Sequence, residues 1–132
     1  MSFEVIQPGL EGVVRLVVAE EHTAQHLGSG AVKVLATPQM VLLMERAGVA
    51  AVDHLLPEGY RTVGAHLDVR HLAPTPVGLE VVATAKLIEV EGRRLTFRVE
   101  VHDEVELVGD GIHERAIINL QKFGERVAQK AK

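Results

Sequence analysis

The sequence predicts an α+β domain in which an antiparallel β-sheet is wrapped around one long central helix, and two observations carry that expectation. The first is "PQMVLLMERAGVAAVDHLL", a run between Thr37-Pro38 and Pro57-Glu58-Gly59 that is apolar nearly all round, the pattern of a helix enclosed by other elements rather than lying on a surface. The second is that the chain beyond it divides into four long strand-like stretches separated by Pro- and Gly-bearing turns. Strands joined this tightly pair antiparallel. One early strand, one buried helix and four later strands are accommodated when the sheet curls around the helix.

Taken in order, "GVVRLVVAE" (12–20) is β-branched and apolar and reads as the first strand, and "EEHTAQHLGSG" (20–30) as a short polar or helical segment closed by glycines. "AVKVLA" (31–36) is too short and mixed to separate strand from loop. Thr37 then looks like an N-cap with Pro38 at the first helical position, where its missing N–H is not needed. The helix is expected to run to about Leu55. The four strands fall at 60–72, 79–90, 93–104 and 112–123, with Glu91-Gly92 as a hairpin turn and "GDG" (109–111) as a turn into the last strand. Leu95, Phe97, Val99 and Val101 alternate with polar residues, as in a half-buried strand.

With 132 residues, a single domain over 1–132 is expected to carry the whole function unless chains pair. The net charge of −4 and the scattered Lys and Arg residues offer no stripe for nucleic-acid phosphates. The absence of cysteine excludes disulfides, thiolate nucleophiles and cysteine metal sites. No apolar run reaches the ~20 residues of a membrane span, and "MSFEVIQPGLEG" lacks the pattern of a signal peptide, so a soluble, cytoplasmic protein is expected. His22 and His26 have helical spacing but no third ligand, and no metal is expected. No Gly-x-Ser-x-Gly occurs, which argues against a serine hydrolase.

Three residues stand out. In "TVGAHLDVRHLAPTPVG" (62–78), strand alternation places Val63, Ala65, Leu67, Val69 and His71 on one side and His66, Asp68 and Arg70 on the other. His71 is therefore expected to face the helix, either as a hydrogen-bonded core histidine or as a reactive one. Glu45 projects from an apolar stripe between Val41, Leu42, Gly48 and Val49; a half-buried carboxylate needs a partner or a proton, which marks a functional candidate or an ion pair with an arginine. Gly48 is expected to leave room beside it. Thr37 places a hydroxyl at the dipole-positive helix end. Thr37 and Glu45 are separated by roughly 12 Å of helix, so a substrate or a second chain must lie between them.

"ATPQMVLLMERA", "TVGAHLDVRHLAPTPVG" and "GIHERAIIN" resemble the hot-dog fold acyl-CoA thioesterases, most closely the fluoroacetyl-CoA thioesterase-like branch, over roughly residues 10–125. The resemblance implies a catalytic set of Thr37, Glu45 and His71, with Gly64 and Arg115 as substrate contacts. It implies hydrolysis of a small acyl-CoA, no cofactor beyond the coenzyme A of the substrate, and a homodimer or dimer of dimers with active sites between subunits. The fluoroacetyl-specific enzyme has a phenylalanine-rich lid before its catalytic threonine, where this chain has "HLGSGAVKV". The resemblance therefore bears on the reaction class more than on the acyl group. It leaves open whether Glu45, Thr37 or water is the nucleophile. Two other readings remain: a hot-dog hydratase or dehydratase built on Asp68 and His71, which the opposite faces of those residues disfavour, and a non-catalytic acyl-CoA binding module.

Overall fold

The structure, a computed structural model, describes residues 3–132. Strand β1 (Glu11–Val17) leads through a 3₁₀ turn (Glu20–His22) and the single helical turn α1 (Ala24–Leu27) to the long helix α2 (Thr37–Val52), which is followed by a second 3₁₀ turn (Asp53–Leu55). Strands β2 (Tyr60–His71), β3 (Glu80–Glu91), β4 (Arg94–His102) and β5 (Leu107–Asn119) follow, and helix α3 (Leu120–Lys130) ends the chain. The five strands form one antiparallel sheet in the order β1-β3-β4-β5-β2. Register shifts at Ala65 in β2 and Ile88 in β3 are bulges of the kind that sharpen twist and curl.

The curl holds α2 against the concave face. Met40, Leu43, Met44, Ala47 and Ala51 of the helix are buried with Val81, Ala83, Ala85 and Leu87 of β3 and with Leu95, Phe97, Val99 and Val101 of β4. The predicted alternation in β4 is thus the inner face of the sheet, each large side chain contributing about 1.5–3 kcal/mol by leaving water. Small residues set the approach: a Cβ on Gly12 of β1 would overlap the backbone of Ala47 and Ala51. The helix is enclosed on one side rather than all round. Leu42 and Val49 are each 38 % exposed, with Glu45 between them.

Two expectations for the C-terminal region are corrected. The last strand begins at Leu107, so Gly109-Asp110-Gly111 lies within β5 rather than in a turn. Gly109 is there because a side chain would collide with Met40 of α2 and the Arg70 carbonyl. The strand also ends at Asn119, whose side chain caps α3 by accepting from the Lys122 N–H at 3.0 Å. Segment 31–36 forms no strand, but Leu35 and Val34 bridge Thr23 and Pro76 respectively.

Candidate active site

Helix α2 begins one residue earlier than the Thr37 cap implies. Ala36 is extended (φ −71°, ψ 143°) and occupies the cap position without a side-chain hydrogen bond, which makes Thr37 the first helical residue. Its hydroxyl is therefore not used for capping. Thr37 Oγ1 lies 2.7 Å from His71 Nδ1, at the last residue of β2.

Local structure accounts for that meeting. The Leu35 N–H donates to the Thr75 carbonyl at 2.8 Å, tying the approach to α2 to the turn that follows β2. Thr75 is itself buried and donates to Asp103 at 2.8 Å. The chain entering the helix and the chain leaving β2 are thereby fixed side by side. Burial pulls the His71 imidazole below its ordinary value, offset in part by the Ala73 backbone, so the ring is neutral and able to accept a proton near neutral pH. Its Nε2 is buried without a hydrogen-bond partner among the described residues. Thr37 and His71 line a cavity of about 350 Å³, walled by Val34, Leu35 and Leu72 with Ser29 on its margin.

Glu45 and Gly64 belong to a second cluster. Face parity in β2 changes at the Ala65 bulge: Gly64 pairs with Arg115 and His66 with Glu114, leaving Ala65 unpaired. Thr62 and Gly64 thus share the inner face with Leu67, Val69 and His71, which corrects the placing of Val63 and Ala65 on that face. His66, Asp68 and Arg70 are exposed on the outer face, as expected. Glu45 is half-buried, and a Cβ built on Gly64 would stand 2.8 Å from Glu45 Oε2, 3.5 Å from His113 Cε1 and 3.7 Å from Arg115 Nη1. The carboxylate, the imidazole and the guanidinium converge on this glycine.

Arg115 is only 5 % exposed. Its Nε donates to Thr62 Oγ1 at 2.8 Å, its Nη2 to the Thr62 carbonyl at 3.0 Å, and its Nη1 to His113 Nε2 at 3.1 Å. Two of its five N–H groups remain for other partners. Thr62 in turn donates from both hydroxyl and backbone to Asp53, just beyond α2. Burial lowers the Arg115 pKa while Asp53 and Glu45 oppose the shift; the guanidinium stays charged. Gly48 makes room for this arginine rather than for Glu45, since a Cβ there would sit 3.1 Å from Arg115 Cδ.

The Thr37–His71 pair and the Glu45–Gly64–Arg115 cluster do not meet within one chain. Gly64 and His71 are seven positions apart on one strand, or roughly 20 Å. Asp68 faces away from His71, so the hydratase-like pairing is not formed. His22 is not exposed and accepts from the Ala19 N–H through Nδ1, while His26 lies exposed on α1. Sequence reasoning passed over His113, although in "IHERAI" it alternates inward with Arg115 and Ile117.

Comparison with known proteins shows the family and the fold. Residues 18–121 match the family described as fluoroacetyl-CoA-specific thioesterase (FlK). The fluoroacetyl-CoA thioesterase of Streptantibioticus cattleyicolor is 50 % identical over 98 residues, covering 74 % of this chain and 70 % of that protein. A solved structure of the fluoroacetyl-CoA thioesterase FlK superposes with a TM-score of 0.88 at 42 % identity, over 95 % of this chain and 97 % of that one. A thioesterase superfamily member from Thermus thermophilus superposes at 0.88 with 34 % identity, over 96 % and 93 %. A hot-dog-like protein from Thermanaerovibrio acidaminovorans reaches 0.90 at 27 % identity, over 98 % and 97 %. Within the described residues no helix is long and apolar enough to cross a membrane. The chain belongs to the fluoroacetyl-CoA-specific thioesterase family, and on a hot-dog fold it is an acyl-CoA thioesterase.

Proposed function

We propose that this protein hydrolyses the thioester of a small acyl-CoA at sites shared between two subunits of a cytoplasmic homodimer, without a cofactor, each 1–132 chain being a single domain. The observation that carries this reading is the separation of Thr37–His71 from Glu45–Gly64 along β2. Strand β2 is an edge strand, and its own Leu67 on the concave face is 38 % exposed, as are Leu42 and Val49 of α2. A long edge strand with apolar neighbours is a template for pairing. If two β2 edges pair antiparallel with the two-fold axis near Asp68, the Ala65 bulge brings Gly64 of one chain opposite His71 of the other. Both face inward. Glu45 and the Thr37–His71 pair then flank one thioester.

In this arrangement Glu45 acts as nucleophile or as base for water, and the neutral His71 ring takes up the proton released by the attacking water and delivers it to the thiolate that leaves as the C–S bond breaks. Thr37 orients the imidazole and the carbonyl. The backbone N–H of Gly64 holds the oxyanion, and an N–H of Arg115 not used by Thr62 or His113 meets the substrate or the carboxylate. Intersubunit complementation tests the reading. Glu45→Gln and His71→Ala chains, each inactive alone in a thiol-release assay, should regain about a quarter of wild-type activity when co-expressed, because half of the dimers are mixed and each mixed dimer holds one intact site. No recovery in verified mixed dimers would place the whole site within one chain.

Gly64 gives a second expectation. Since the group a side chain would meet there is the far end of Glu45, Gly64→Ala should fold normally by displacing the carboxylate. A displacement of this size is expected to lower kcat by about 10- to 100-fold with little change in the thermal midpoint. An unchanged kcat would show that the position of Glu45 over Gly64 is not used.

A further inference from the structure

His113 is a fully buried ionisable side chain (0 % exposed) with no part in the reaction as described. It lies on the inner face of β5, opposite Leu67, and its ring stacks near Phe97 with centroids 6.4 Å apart. Its two nitrogens are both engaged, and the partners define its state. The His66 carbonyl, 2.9 Å from Nδ1, can only accept, so Nδ1 carries the proton. Nε2 then offers its lone pair to Arg115 Nη1 at 3.1 Å. Arg115 in turn lies among Thr62, Gly64 and Glu45.

We infer that His113 is a positioning residue for the thioesterase reaction: a neutral imidazole, locked in one tautomer by the His66 carbonyl, that holds the Arg115 guanidinium where it aligns the Glu45 carboxylate over Gly64. Three features support this. The His66 carbonyl immediately follows the bulge at Ala65, so the irregularity that brings Gly64 inward also supplies the acceptor for His113. An imidazolium would present N–H to N–H against Arg115, and burial disfavours it, as does the neighbouring guanidinium. Finally, each of the three nitrogens of Arg115 is held at a separate protein acceptor. Losing the His113 contact leaves Nη1, the nitrogen nearest Gly64, without its acceptor and lets the guanidinium tilt on its Thr62 contacts.

This inference rests on the assignment of Glu45, and its test separates the two. In glutamine the amide oxygen reaches the position of Nε2, whereas in asparagine the amide reaches only that of Nδ1; both lose the ring that packs on Phe97. His113→Gln should keep kcat within about threefold of wild type. His113→Asn should lose about 10- to 100-fold, the cost of misplacing a catalytic group, with KM moving less than threefold in either. Equal kcat values for the two would overturn the inference, and so would an Asn defect confined to KM. Failure of the Glu45 assignment would instead appear as an active Glu45→Gln enzyme. A measurement on the unmodified protein needs no variant: nitrogen chemical shifts should show the neutral Nδ1–H tautomer at His113, and an Nε2–H tautomer would refute the proposal.

Discussion

Glu45→Gln should fold, dimerise and bind acyl-CoA, yet release thiol about 10²- to 10⁴-fold more slowly than wild type, the range for removal of a positioned acid or base. Glutamine preserves the volume of the side chain and removes its charge and basicity. It can neither attack the thioester nor accept a proton from water. The structural cost should be small, because among the described residues Glu45 makes no direct hydrogen bond or ion pair, only the longer-range attraction of Arg115, and the buried Arg115 keeps Asp53, reached through Thr62, as a countercharge. Thiol release and a thermal melt of the same preparation decide the matter. A variant that retains wild-type kcat would remove Glu45 from the chemistry.

His71→Ala is expected to lower kcat by a similar 10²- to 10⁴-fold and to change the pH profile as well. Burial pulls the His71 pKa below its ordinary value. The neutral, proton-accepting ring therefore predominates above that pKa, and wild-type activity should fall as pH drops through a value below ~6.5. In His71→Ala the residual activity should lack that acidic limb. Alanine also removes the partner of the Thr37 hydroxyl, which would then rotate freely. A full-activity variant, or one whose acidic limb is unchanged, would exclude His71 as the proton carrier.

The parts of the fold legible in the sequence are those where one pattern has one meaning. Leu95, Phe97, Val99 and Val101 alternate without interruption, and Glu91-Gly92 leaves too little chain for anything but a hairpin; both match the observed β3–β4 pair. The start of β5 was hidden because glycine serves close approach as well as turns, and at Gly109 it admits Met40 rather than reversing the chain. Helix α3 was hidden because "IHERAIINLQKF" continues to alternate past Asn119. Its apolar residues Leu120, Phe123 and Val127 remain exposed, so no core burial distinguishes it from strand.

At the site, Thr37, Glu45 and His71 could each be singled out from a local conflict: a hydroxyl at a helix start, a carboxylate in an apolar stripe, an imidazole on an inward face. Their grouping could not. The helix length between Thr37 and Glu45 was readable, but the Thr37–His71 contact and the inward turn of Gly64 at the Ala65 bulge, for which a single alternating strand carries no signal, were not. Arg115 and its partners Thr62, Asp53 and His113 emerge only once β2 and β5 are in register. A hydrogen-bond network spread over three elements is invisible to any one-dimensional period.

For the proposed dimer the bulge also bears on fidelity of assembly. Two identical antiparallel edges can slide past one another, and a slip of two residues keeps every side chain on its face. Such a slip would separate Gly64 of one chain from His71 of the other by about 6.6 Å while retaining most of the backbone pairing. The product would be a folded, dimeric and inactive protein. An irregular step at Ala65 breaks the translational equivalence of the edge, because the extra residue must fall beside the pair that Gly64 of one chain makes with His71 of the other. In the proposed dimer it would act as a detent that favours the one register in which both sites are complete.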